Sequence, residues 1–580
     1  MHIETARSHQ TRKDGTERVY QRHLLRRSYR EGGKVRKQTL ANLSHLPDEA
    51  IAALRLVLAG RTVVDADAAL EVQRSAGHGH VAAVHTIACQ LGLPDLLGPA
   101  GRTRDLAYAL IVSRVVRPRS KLSTVGWWDD VTLGSDLGVA GASTDEVYAA
   151  MDWLVDHQAH IEAELARRHL QAGGIAMFDL SSSWVEGSHN ALAAFGHSRD
   201  GKRGKPQIEY GLLTDPKGRP VAVRVFAGNT GDPTAFTQAV QLVRGSFDLH
   251  QLILVGDRGM ITKARIDALK GLNDDPGTPE DFAWITALRA PAISKLAQDG
   301  GPLQLSLFDQ QDLAEICSPD YPGERLVACR NPLLAQERAR KRADLLAATE
   351  ILLSKVKGQV DAGRLTDPDK ISVKADRALR KYKVGKHLVV QVAQGSISWH
   401  RDQAKIDAEA ALDGIYVIRT SVPAQTLDAP ATVAAYKNLA FVERDFRHIK
   451  ADDLDLRPIW HRLADRVRGH VLLCMLACYL AWHLRNAWAP LTFTDEHPPA
   501  RADPVAPARR SPAAQAKASR KADTSGQPVR GFRDLLDHLA ALTRDTITIS
   551  GRTVDKLTTP TPTQRRAFDL LNTPIPITLT

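Results

Sequence analysis

Two aspartates directly follow short apolar runs: Ile175-Ala176-Met177-Phe178 ends at Asp179, and Leu252-Ile253-Leu254-Val255 leads into Gly256-Asp257-Arg258-Gly259. Apolar runs of this length read as buried strands, and sites in open α/β sheets form at strand carboxyl ends. An aspartate after a strand is often only a turn or cap residue, so neither carries the argument alone. With a third carboxylate on a facing helix they would form an all-oxygen ligand set, which suits hard divalent cations. Two such ions about 3.5–4 Å apart act on the attacking and leaving oxygens of a phosphoryl transfer.

The third carboxylate is Glu443, in AYKNLAFVERDFRHIK. Tyr436, Glu443 and Lys450 are spaced seven apart, and seven helical steps fall about 20° short of two turns. One helix over 432–450 would set a phenol, a carboxylate and a cation on one face, an arrangement suited to metal plus phosphate. By spacing alone, a solvated charged stripe is the simpler reading.

The elements that must position these residues alternate. Strands are expected at 175–178, 209–214, 220–226, 252–255 and 282–288, the second and third joined by the turn Asp215-Pro216-Lys217-Gly218. Helices are expected at 233–247, with Asp232 as N-cap, and at 262–269. The fold class is therefore α/β, a layered core with mixed strand pairing.

The organisation reads as a basic β-rich arm (1–45) with a hairpin around Glu31-Gly32-Gly33, then a helical, DNA-binding region (46–170) in which Thr144 caps a periodic stretch. The core follows in two parts (171–290 and 431–490), separated by an inserted subdomain (291–430). That insertion holds a charged helix at 334–357 and strands at 388–392 and 415–420. From Asp257 to Glu443 is 443 − 257 = 186 residues, far more than one strand–helix connection needs. A basic Pro/Ala-rich linker that cannot fold (491–530) and a tail (531–580) close the chain.

Lys and Arg number 77 against 66 Asp and Glu, a net +11. Residues 1–40 carry a net +7 and residues 501–530 a net +5, leaving 11 − 7 − 5 = −1 for the remainder. Two basic arms on a near-neutral body point to a polyanion, nucleic acid ahead of a membrane surface. Five cysteines without a C-x-x-C pair argue against a disulfide scaffold or a structural zinc site. The polar start and a longest apolar run of only 12 residues (471–482, within a buried helix at 463–488) suggest a cytoplasmic protein without a membrane span. Cys474, Cys478, Trp127 and Trp128 read as core residues, and His197 and His448 as possible proton-transfer groups by position only.

The segments Phe178-Asp179-Leu180-Ser181-Ser182-Ser183-Trp184-Val185-Glu186-Gly187, Gly196-His197-Ser198-Arg199-Asp200-Gly201-Lys202-Arg203, Phe226-Ala227-Gly228-Asn229-Thr230-Gly231-Asp232 and Val255-Gly256-Asp257-Arg258-Gly259-Met260 resemble those of DDE transposases of bacterial insertion sequences. The later helix is similar to that of the insertion-sequence-four-like group, whose signature is Tyr, two residues, Arg, three residues, Glu, six residues, Lys. Tyr436, Glu443 and Lys450 match it; Leu439 stands where the group has Arg.

The resemblance spans roughly residues 100–490. It implies an RNase H-like core with Asp179, Asp257 and Glu443 as metal ligands and catalytic residues, holding two Mg²⁺ (or Mn²⁺) ions. It also implies that Tyr436 and Lys450 hold transposon-end phosphates, with Arg258 and Arg199 as DNA-backbone contacts. The implied enzyme binds double-stranded DNA at terminal inverted repeats, cleaves the element ends and joins the 3′-hydroxyl to target DNA, as a homodimer or higher homo-oligomer. The alternatives are an RNase H-like nuclease without strand transfer and a domesticated, non-catalytic DNA-binding protein.

Deleting residues 1–40 is expected to weaken DNA binding and flatten its salt dependence, since each neutralised phosphate contributes about −0.9 to the log–log slope. Binding measured between about 50 and 200 mM salt checks this. An unchanged slope would leave the arm a solubility tail.

Overall fold

The computed structural model describes residues 1–11, 17–61, 63, 70–247, 249, 251–262, 266, 282–298, 300–309, 311–499, 503–549 and 552–579. The helix expected over 262–269 falls almost wholly outside them. The chain forms two compact units, Met1–Ser75 with Arg544–Thr558, and Ala76–Thr543 with Thr559–Thr580.

The first unit holds a three-stranded antiparallel sheet of β1 (His2–Thr11), β2 (Glu17–Glu31) and β3 (Lys34–Asn42). Gly32 and Gly33 turn the β2–β3 hairpin with φ of +56° and +78°, the two positive values that a tight two-residue turn demands. β1 was not foreseen, because its polar sequence has no apolar alternation to betray it. The region expected to be helical from residue 46 contains a strand, β4 (Leu70–Gly77), sheeted with Thr543–Ile549 and Arg552–Leu557. Ser75 Oγ donates to Asp545 at 2.6 Å, a pairing across 470 residues that no local pattern signals.

The second unit is built on an eight-stranded mixed sheet. Its strands are β5 (Gly174–Trp184), β6 (Gln207–Thr214), β7 (Pro220–Ala227), β8 (Leu252–Val255), β9 (Phe282–Ala287), β10 (Leu313–Ile316), β11 (Arg325–Arg330) and, later in the chain, β14 (Ile415–Thr420). The order is β10-β11-β14-β9-β8-β5-β6-β7. β8 runs parallel to β5 and β9; the other pairs are antiparallel. β5 does not stop at Asp179 but continues to Trp184, because β6 pairs with it residue by residue from Met177.

The inserted segment is shorter than expected. β10, β11 and β14 lengthen the main sheet, and only the stretch between them folds apart. It comprises the helices Pro332–Asp361 and Pro368–Lys381, the hairpin β12 (Leu388–Ala393) and β13 (Ser396–Arg401), and a helix Gln403–Ala410. Leu353, Ile371, Ala375 and Ile397 give it a core of its own.

The helices after residue 76 are not a separate module. Arg102–Val116 buries every residue from Leu106 to Val116, and a helix apolar all round belongs inside a larger core. It packs with Thr144–Asp156 and Ala464–Ala487 in the same core as the sheet. The cap of Thr144–Asp156 is Ser143, one residue earlier than expected, in a capping box with Glu146. Gly231, not Asp232, precedes the first turn of Asp232–Ser246. Ala464–Ala487 is long and apolar enough to cross a bilayer, but its surface is spent on internal packing, with Cys474 and Cys478 buried. Trp128 is fully buried and donates to Ser113 Oγ at 2.9 Å.

The described residues of the expected linker, 491–499 and 503–530, do not form an unfolded linker. Ser511 caps a helix Pro512–Arg520, Val505 is buried, and Lys517 Nζ donates to the carbonyls of Ala489 (3.0 Å) and Thr494 (3.2 Å) and to Glu496 (2.6 Å). Cations that composition marks as solvated here hold the chain by bonding backbone carbonyls.

Gly211 on β6 is a position where a side chain has no room, since a Cβ there would overlap the Phe178 ring beside Asp179. Gly211→Ala is expected to cost about 1–3 kcal/mol through overpacking. Gly358→Ala, in an open helix interior, should gain about 0.5–1 kcal/mol. Shifts of the urea midpoint check both signs.

Candidate active site

The parallel pairing of β5 with β8 ends at Met177 opposite Val255. Two residues further along each strand stand Asp179 and Asp257, so the register carries both carboxylates past the same edge of the pairing. Asp179 stays inside β5, opposite Leu212, whereas Asp257 has left the sheet and is exposed.

Alternation places Asp179, Ser181 and Ser183 on one face of β5. Ser183 Oγ meets the Tyr210 hydroxyl at 3.0 Å, and the Tyr210 ring lies edge-on to Phe446, 5.7 Å between centroids. Phe446 belongs to the helix Leu439–Arg447, which therefore covers the face bearing Asp179 and brings Glu443 to it.

Burial pushes the Asp179 carboxyl up to about 7. The hydrogen bond from Leu180 N–H at 2.8 Å and the Arg199 guanidinium oppose this, while the charges of Asp257 and Glu443 add to it. Arg199 is held beside the carboxylate: its Nη1 donates to Leu180 O and its backbone N–H to Ser182 Oγ, both at 3.0 Å. Tyr436 stands on the far side. Burial drives its phenol upward and the neighbouring Asp257 charge drives it further, with Arg258 opposing. The structure thus gathers Asp179, Asp257, Glu443, Tyr436, Arg199 and Arg258. A cavity of ≈ 1330 Å³ opens beside Asp257, Arg258 and Tyr436 and reaches Arg338, Lys341 and Lys405 of the inserted segment.

The single helix expected over 432–450 is broken twice. Ala429–Lys437 ends at Asn438, Leu439–Arg447 restarts, and His448–Asp452 widens into a π turn. Lys450 has a partner of its own. Its Nζ pairs with Asp200 at 2.8 Å, and Arg457 Nη1 shares the same oxygen at 2.7 Å. Burial lowers the Lys450 ammonium, with Asp200 opposing. Leu439 is buried, which suits an apolar residue where the resembling group has Arg. His448 faces Asp453 at 2.5 Å, and His197 is exposed.

Asp200 was overlooked as a site residue, although it lies inside the Gly196–Arg203 motif. Its signal was the adjacent Arg199-Asp200 pair, one residue facing the carboxylates and the other turned back into the fold. By chemistry alone the three carboxylates suit a hard divalent cation, since all are oxygen ligands and the buried one feels its neighbours' charge. Among the described residues, no three His, Cys, Asp or Glu side chains lie close enough to grip one ion together.

Comparison with known proteins adds identity to this geometry. Residues 6–68 match the N-terminal domain of IS1634 family transposases, and residues 181–480 match the transposase DDE domain. Asp257 and Glu443 lie inside the second match, and Asp179 two residues before it. No curated protein matches the chain. Among solved structures, a piggyBac transposase synaptic complex with hairpin DNA shares 9% identity over 80% of this chain and 76% of its own, with a TM-score of 0.35. A Mos1 transposase paired-end complex shares 14% over 31% of this chain and 62% of its own, with a TM-score of 0.14. Overlaps this low bear on neither fold nor function. The DDE match covers more than half of the 580 residues, and the chain belongs to the DDE transposases of insertion sequences.

Proposed function

We propose that this transposase hydrolyses the phosphodiester at its element's ends and joins the freed 3′-hydroxyl to target DNA, using Asp179, Asp257 and Glu443. What supports the reading is that Asp179 and Asp257 pass the same edge of the β5–β8 pairing and that the charges of Asp257 and Glu443 both act on Asp179. The strands β7-β6-β5-β8-β9 would form an RNase H-like core, with the first three antiparallel and the last two parallel to β5.

In the first step the oxygen of water bonds to phosphorus as the P–O3′ bond breaks. The electron pair leaves on O3′, which takes a proton, and the other fragment keeps a 5′-phosphate. In the second step the 3′-hydroxyl attacks a target phosphodiester in the same sense. The carboxylates would hold Mg²⁺, two ions in this reading, which when bound neutralise charge on the phosphoryl group.

The protein supplies position. Arg199 sets a positive charge beside Asp179, while Tyr436 and Arg258, beside Asp257, border the cavity through which a strand would enter. Lys450 becomes a positioning residue, tying the segment after Glu443 to Asp200. Two ends must be cut and brought together, so the working form is a homodimer or higher oligomer on DNA, acting in the cytoplasm.

Asp179→Asn, Asp257→Asn and Glu443→Gln are each expected to abolish cleavage of a repeat-end duplex in Mg²⁺ while leaving gel-shift affinity within a few-fold. Retained cleavage in one variant removes that residue from the site. Cleavage without joining in the wild type would favour a nuclease.

Lys450→Ala should lower cleavage more than Arg444→Ala and also cost about 1–3 kcal/mol of stability, because a buried partner of Asp200 is lost while Arg457 remains. Equal cleavage losses with unchanged unfolding midpoints would detach Lys450 from this role.

A further inference from the structure

A second cavity, ≈ 330 Å³, lies away from the three carboxylates. Lys121 and His470 floor it, Arg114, Arg119 and Arg457 wall it, and Trp460 stands at its rim. Lys121 is 4% exposed, yet its ammonium meets no carboxylate among the described residues; its partner is His470 Nδ1 at 3.0 Å. Burial drives the imidazole of His470 well down, that of His461 to about 3 and the Lys121 ammonium well below its usual range, so the floor of the cavity resists carrying charge on its own.

Arg114, also buried, spends its guanidinium on the carbonyls of Leu454 (3.4 Å) and Arg119 (3.1 Å). Asp455 is in the lining but pairs with neither cation. A buried amine pushed toward its neutral form regains its charge beside an anion, and Arg114 and Arg119 keep theirs throughout, so the basic lining of this cavity suits an anionic ligand.

The size and depth narrow the ligand. A cavity near the small end of ligand pockets, about 300–1,000 Å³, takes a phosphate with its sugar but not a duplex. Phosphates along a duplex lie on a convex surface and do not reach a floor 4% exposed, whereas a strand end does. Trp460, 68% exposed at the rim, offers a face to the adjoining base. Arg457 joins this rim to the glutamate segment, because it shares Asp200 with Lys450.

We infer that this cavity holds the 5′-phosphate end of a cut DNA strand, in the grip of Lys121, Arg114 and Arg119. The inference rests on the hydrolysis proposed above, which leaves a 3′-hydroxyl on one fragment and a 5′-phosphate on the other.

The test uses the full chain without divalent metal and a repeat-end duplex with a short single-stranded 5′ overhang, carrying either a 5′-phosphate or a 5′-hydroxyl. The wild type should bind the phosphorylated end about tenfold tighter, the effect of one charge-assisted contact. Lys121→Met should erase that preference. Arg119→Ala and Trp460→Ala, both at exposed positions that fold safely, should reduce it several-fold, while Arg167→Ala on a remote surface leaves it unchanged. Equal affinity for the two ends in the wild type, or a preference untouched by all three cavity substitutions, overturns the inference. If the wild type cleaves in Mg²⁺ but shows no end preference, the hydrolysis stands and the cavity reading falls. If it cleaves no repeat end at all, the reading beneath it falls first.

Discussion

The second unit places one carboxylate where burial opposes its charge. Asp179 sits within a strand, flanked on both sides by paired neighbours, and its ionised form is penalised first by burial and then by Asp257 and Glu443. Such a residue costs stability in any fold that does not use it. The surroundings answer with Arg199, turned to face it, and with the following Leu180 N–H. The covering helix is anchored by an aromatic contact, Phe446 on Tyr210, rather than by an ion pair, so Glu443 remains exposed.

Asp200 solves a related problem next door. One buried carboxylate, 1% exposed at its side chain, accepts from both Lys450 and Arg457. That shared oxygen fixes the chain on both sides of the turn after the glutamate helix. The helix widens into a π turn at His448–Asp452, and Lys450 within that turn pairs with Asp200.

How much was legible follows from which interactions are local. The apolar runs of β5, β8 and β9, the Asp-Pro-Lys-Gly turn between β6 and β7 and the Gly-Gly hairpin carry their structure in a few neighbouring residues, and all were readable. The strand ends that carry Asp179 and Asp257 were readable in the same way, from the apolar runs before them. What failed to show was long-range. β4 pairs with strands in the tail, β14 returns to the main sheet after the insertion, and Lys517 folds a Pro/Ala-rich stretch by bonding distant carbonyls. The single helix over 432–450 failed for a different reason. Periodicity assumes an unbroken helix, and the pairing of Lys450 with Asp200 is invisible to it.

The charge distribution gives the last step. The sequence showed its excess in two arms and an almost neutral remainder. Within that remainder the structure concentrates charge: Asp179 and Asp257 pass the β5–β8 edge, and cations collect in two cavities, one beside Asp257 and one around Lys121. Neutral totals hide this, because Asp257, Glu409 and Asp413 offset basic residues in the count while lying in the same large cavity. For a reaction at phosphorus that concentration is what matters. Anionic oxygens are suited to cations that act on one phosphate, while buried ammonium and guanidinium groups are suited to the phosphates on either side of it. On the reading proposed above, the arms would supply affinity that salt screens and the cavities contacts that salt reaches poorly.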